Sequence, residues 1–103
     1  MVRVMASGVF DIIHLGHLHY LEASKKLGDE LVVVVARDST VRRRKHEPIT
    51  PESMRLELVG ALKPVDRAML GNESGDMFKI VEELRPDVIT VGYDQPFEPV
   101  ELE

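Results

Sequence analysis

The stretch Gly8-Val9-Phe10-Asp11-Ile12-Ile13-His14-Leu15-Gly16-His17 holds the residues best suited to chemistry in this chain of 103 residues. Two imidazoles three residues apart can converge on one anion. His17 is expected to open a helix, whose unpaired N–H groups and positive dipole end favour negative charge. Gly8 would let backbone approach a ligand closely, and Gly16 would keep the space between the histidines clear. Nitrogen donors held around a phosphate stabilise the charge that builds on its oxygens when the α-phosphorus of a nucleotide is attacked. A phosphate acceptor is already a nucleophile, so positioning and charge neutralisation suffice without a covalent intermediate.

Two other uses of the same residues compete. The pair could merely cap a helix or sit partly buried, or His14, His17 and His19 could hold zinc. His14 and His17 straddle the turn into the helix whereas His19 falls on another side, which argues against a metal. The conjunction of strand, G-x-F-D, H-x-G-H and helix favours the phosphate.

Positioning that loop requires a strand before it and a helix after it. Val2–Ala6 reads as a strand. His17–Leu27 reads as a helix with Leu18, Leu21 and Leu27 inward, ended by Lys25, Lys26 and Gly28. Leu31–Ala36 is an unbroken apolar run of the kind buried on both faces. Arg37–Ile49 reads as a loop, after which Thr50 can cap a helix starting at Pro51, with Met54, Leu58, Val59 and Leu62 as its apolar face. Arg67–Leu70 is a short strand. Gly71–Gly75 is a loop, and Met77, Ile80, Val81 and Leu84 give a third helix that Pro86 stops before a strand at Val88–Val91. The alternation predicts an α/β fold, a Rossmann-like parallel sheet in a three-layer α/β/α sandwich, with ligands at the carboxyl ends of the strands. The basic run Arg42, Arg43, Arg44, Lys45, His46 lies just past a strand end, where phosphate binding is favoured over a solvated loop.

The composition leaves room for one domain, here 1–95, with a tail at 96–103. No cysteine is present, which removes disulfides, thiolate metal sites and cysteine catalysis. A net charge of −5 argues against nucleic acid and membrane surfaces as partners. No apolar run reaches the length of a membrane span and no signal-peptide pattern opens the chain, so a cytoplasmic location is expected.

G-V-F-D-I-I-H-L-G-H, the lysine-rich helix end and L-G-D-E-L resemble the cytidylyltransferase-like nucleotidyltransferase family, over about Val2 to Gln95. V-A-R-D-S-T-V, P-I-T-P-E-S-M-R, A-L-K-P-V-D-R-A-M-L-G, G-D-M-F-K and V-G-Y-D-Q are most similar to its archaeal FAD synthase branch. That resemblance implies joining of FMN and ATP to give FAD and pyrophosphate with Mg²⁺ or another divalent cation, in a homodimer. It implies that His14 and His17 contact nucleotide phosphates, with Gly8, Val9, Phe10, Asp11 and Gly16 forming the nucleotide loop. Asp11 would lie near the metal or hold the loop, and Asp94 would lie near the ribose or base. Asp38, Arg44, Lys45, His46 and Arg55 would serve the phosphates or the acceptor, and the metal ligands are left open. The family continues into a fifth strand and a Ser/Thr-rich motif that nothing after Asp94 matches, so the tail is expected to be truncated. Rival branches are cytidylyltransferases acting on glycerol 3-phosphate or a related phospho-alcohol, and phosphopantetheine adenylyltransferase. A non-catalytic nucleotide-binding module is the alternative from another class. A class I aminoacyl-tRNA synthetase also carries H-x-G-H, but this chain has no room for tRNA-binding domains.

Overall fold

Leu31 and the four valines after it make β2 (Glu30–Val35), since β-branched side chains suit a pleated surface buried on both sides. In the computed structural model, which describes residues 1–44, 47–72 and 77–91, β2 pairs in parallel with β1 (Arg3–Gly8) and β3 (Arg67–Leu70). β4 (Val88–Val91) pairs in parallel with the other edge of β1. The spatial order is β3-β2-β1-β4, so the chain reverses its winding at β1 and the carboxyl ends of β1 and β4 flank a switch point.

The helices are α1 (Leu15–Lys25), α2 (Asp38–Arg44), α3 (Glu52–Gly60) and α4 (Met77–Leu84). Alternate strand residues sort the core into two layers. Val4, Ala6, Leu31, Val33 and Val35 pack with Leu21 of α1 and Val59 of α3. Met5, Val32 and Val34 pack with Ile80 and Leu84 of α4 on the opposite face. The three-layer Rossmann-like fold predicted from the alternation is therefore present. Between α1 and β2, Gly28 lies so close to β1 that a Cβ would sit 2.7 Å from the Val2 carbonyl oxygen and 2.7 Å from Val4 Cγ2.

Five local expectations are corrected. The first helix begins at Leu15 rather than His17, because His14 supplies its cap. Leu27 is exposed, since it lies beyond the last helical turn. A short helix, α2, occupies part of the expected loop, with Val41 buried as its anchor. Pro51 takes the N-cap position of α3 without a side-chain cap, while the Thr50 hydroxyl is used elsewhere. The inward face of α3 is Arg55 and Val59, and Met54 and Leu58 point to solvent.

Candidate active site

The loop between β1 and α1 places two histidines at the switch point. His14 is the N-cap of α1, and its Nδ1 accepts the Gly16 N–H at 3.0 Å. His17 occupies the third helical position, and its Nδ1 accepts the His14 N–H at 3.2 Å. The pair thus forms a reciprocal capping box with imidazoles in the roles usually taken by a hydroxyl and a carboxylate. With each Nδ1 lone pair engaged, the proton of each neutral ring sits on Nε2. The rings lie side by side, 4.1 Å between centroids, and buried His17 also packs on buried Phe10 at 5.4 Å.

The expectation of unpaired amides at this helix start holds only in part. The Gly16 N–H is taken by His14 Nδ1 and the His17 N–H by the His14 carbonyl at 3.0 Å. The first amides of α1 are thus partly satisfied within the loop, and both rings stand at the positive end of the helix dipole. Phe10 and Ile12 both have left-handed backbone, φ 56° and 57°. For a β-branched residue such as Ile12 this conformation is rare and strained, and it occurs where surrounding bonds over-determine the loop.

Asp11 supplies those bonds. Its carboxylate accepts the Ile49 N–H at 2.8 Å, the Thr50 N–H at 2.9 Å and the Thr50 hydroxyl at 2.7 Å. Partial burial pushes the Asp11 carboxyl up. The Thr50 hydroxyl, the two amides and the Arg55 charge outweigh that and hold it below the usual carboxylate value. Of the two roles open to Asp11, holding the loop is the one its contacts describe.

Arg55 braces the same corner from beneath. It is fully buried, and its guanidinium donates to the carbonyls of Thr50 (3.0 Å), Val9 (2.8 Å) and Ala36 (2.6 Å) and to the Asp38 carboxylate. Those acceptors lie on the α2–α3 linker, on the residues that follow β1 and β2, and on the start of α2. Arg55, expected to serve the phosphates or the acceptor, thus has donors engaged with protein groups, where they pin two strand ends together. Asp38 is likewise drawn to Arg55, and its own N–H donates to Glu52 Oε1 at 2.9 Å.

Gly8 ends β1 and its carbonyl accepts the Ala36 N–H at 2.9 Å, so it joins β1 to the residue after β2. Arg44 is the last residue of α2. Lys45, His46 and Asp94 lie outside the described residues. His19 is exposed on α1, and among the described residues no three His, Asp or Glu side chains are grouped to hold a metal ion. The structure adds residues the motif did not name. Tyr20 hydroxyl donates toward the Thr90 carbonyl at 3.0 Å and accepts from Thr90 Oγ1 at 3.1 Å, and Thr90 Oγ1 shares a 2.8 Å bond with Ser24. This ties α1 to β4 one turn after His17. Tyr20 falls at i+3 from His17, which was a usable signal for the same face.

A profile of the family described as cytidylyltransferase-like matches residues 5–101. The FAD synthase of Thermoplasma acidophilum is 68% identical over 102 residues, 99% of this chain and 71% of that relative. The FAD synthase of Aciduliprofundum boonei is 62% identical over 103 residues, 100% of this chain and 68% of that relative. Among solved structures, the lipopolysaccharide core biosynthesis protein from Thermoplasma volcanium GSS1 superposes with a TM-score of 0.90 at 65% identity, covering 95% of this chain and 80% of that one.

Proposed function

The chain belongs to the cytidylyltransferase-like family and is a nucleotidyltransferase, and from that premise we propose that it makes FAD and pyrophosphate from FMN and ATP. A phosphate oxygen of FMN attacks the α-phosphorus of ATP in line, the bond to the β-phosphate oxygen breaks, and pyrophosphate leaves. The observation that carries this reading is the imidazole capping box. It fixes His14 and His17 so that both Nε2–H groups serve as donors to the phosphate on which charge develops.

The remaining residues position rather than react. Asp11 ties the loop to the α2–α3 linker and Arg55 ties that linker to the strand ends, which keeps the histidines in register with the acceptor side. A divalent cation enters with the triphosphate, neutralising charge on its oxygens, since Mg²⁺ is commonly held by substrate phosphates with few protein ligands. Gly8 and the backbone of Val9 and Phe10 form the floor of the nucleotide site, and Asp94 is assigned to the ribose or base by the family resemblance. Lys45, His46 and Arg44 supply further positive charge, and the enzyme acts as a homodimer in the cytoplasm. Among the described residues no helix is long and apolar enough to cross a membrane.

The test is a substrate panel. ATP with FMN and Mg²⁺ should yield FAD and pyrophosphate, with CTP much slower. A higher kcat/KM for CDP-glycerol formation from CTP and glycerol 3-phosphate would move the chain to another branch of its family. Absence of pyrophosphate release with every acceptor would leave a binding module.

A further inference from the structure

A pocket of about 470 Å³ opens at the carboxyl end of β2, lined by Arg37, Asp38, Ser39, Arg42 and Glu52. That volume is in the range of small-molecule sites, but the lining is unusual for one, because among the described residues no aliphatic or aromatic side chain contributes. A flat ring would find no apolar wall among these residues, only guanidinium planes. A hydroxylated chain ending in phosphate would find a hydroxyl, two carboxylates and two guanidinium groups.

The charges are not equivalent. Glu52 is committed to the Asp38 N–H and to Arg37 Nη1 at 3.3 Å, and Arg37 Nε is committed to the Gly71 carbonyl at 2.7 Å. Asp38 is paired with buried Arg55. Those contacts build the walls and neutralise both carboxylates from within. Arg42 differs: its Nε bonds both carboxylate oxygens of Glu47 at 3.1 Å, but the side chains are 53% and 78% exposed. An ion pair so open to water is weak and screened, so its guanidinium can exchange partners at little cost. Glu47 takes a bifurcated bond from Nε alone, whereas a phosphate can take two parallel bonds from the guanidinium fork.

Resting on the FMN reading above, we infer that this pocket is the acceptor's polyol-phosphate subsite. Arg42 there exchanges Glu47 for the phosphate, and Ser39 bonds the polyol hydroxyls. Arg55 joins the subsite to the nucleotide loop, since it holds Asp38 at the pocket and the Val9 carbonyl at the loop. The flavin ring lies outside the pocket.

Steady-state KM values for FMN and ATP in three variants test this, with circular dichroism as the folding control. Arg42→Ala should raise the KM for FMN about tenfold or more, as loss of a charge-assisted bond implies, and leave that for ATP within about twofold. Ser39→Ala should raise the KM for FMN by a smaller factor. Glu47→Gln should lower it, because the competing carboxylate charge is gone. Opposite signs at Arg42 and Glu47 are the signature of exchange. Weaker FMN binding in both variants would make the pair merely structural and overturn the subsite, as would a rise confined to ATP or no change at all. The wild type separates the two readings: FAD formation with unmoved KM values overturns the subsite alone, whereas no FAD formation overturns the FMN reading itself.

Discussion

The two corners of the site hold their polar groups by different means. Around β1 and α1, neutral imidazoles engage backbone amides, and the one fully committed charge is Asp11. Around β2, α2 and α3, charges are held by charges: Arg55 by Asp38, Arg37 by Glu52, Arg42 by Glu47. The contrast assigns separate duties. In the proposal above the imidazole pair donates to an anion, while the charged corner is buried at Arg55 and exposed at Arg42. On the proposed function, substitutions in the first corner should strike turnover and those in the second should strike stability.

The largest effect expected from breaking that division is at Arg55. Arg55→Met should lose roughly 3–5 kcal/mol of stability in urea unfolding, because the Asp38 carboxylate and three carbonyls lose their partner. Arg55→Lys should recover little, since one ammonium cannot reach four acceptors. A loss below about 1 kcal/mol would show that the brace is dispensable.

At the histidines the effect should fall on turnover instead. His14→Ala and His17→Ala should each lower kcat by roughly 10²–10³ with an intact fold, His14→Ala also losing about 1 kcal/mol through its helix cap. Near-normal kcat in both variants would end the proposed role of the imidazoles.

Asp11→Asn should cost less, about 1–2 kcal/mol, because the amide retains one acceptor oxygen. The pH dependence sharpens this. A carboxyl held below its usual value stabilises the fold above the ordinary aspartate range, and that contribution is lost as pH falls through the lowered value. The stability gap between wild type and Asp11→Asn should therefore be full at neutral pH and shrink below about pH 4. A gap independent of pH would mean that the charge of Asp11 is irrelevant. The smallest effect is expected for Tyr20→Phe, about 1 kcal/mol from the lost bonds to Thr90, read as a lower melting temperature with kcat unchanged. A large fall in kcat would bring Tyr20 into the catalytic corner.

Strands and α4 were legible in the sequence because apolar runs and the spacing Ile80, Val81, Leu84 directly record burial. The corners were not, for physical reasons. Histidine is not a customary N-cap, so the start of α1 was expected two residues later, at the second ring rather than just after the first. In α3 a hydropathy pattern sends arginine outward, yet Arg55 takes an inward position because four acceptors surround it, and Met54 and Leu58 are displaced to solvent. For α2, one buried valine among D-S-T-V-R-R-R gives no amphipathic signal. The motif singled out the loop between β1 and α1, but which of its atoms are engaged within the chain depends on caps that hydropathy does not record.

The placement of β1 in the middle of the sheet also bears on how the site comes into being. Its pairing with β2 joins Arg3 to Glu30, and its pairing with β4 joins Val4 to Val88. Closing the longer loop costs only about 1 kcal/mol more in chain entropy, but such non-local pairing is slow. On the ribosome, β1, β2 and β3 emerge together and can assemble while one edge of β1 still lacks its neighbour. The cleft beside the H-x-G-H loop then closes after β1, β2 and β3 have paired. A defect in β4, at Thr90 for instance, would strike nascent enzyme by leaving an apolar edge open to other chains before it struck catalysis.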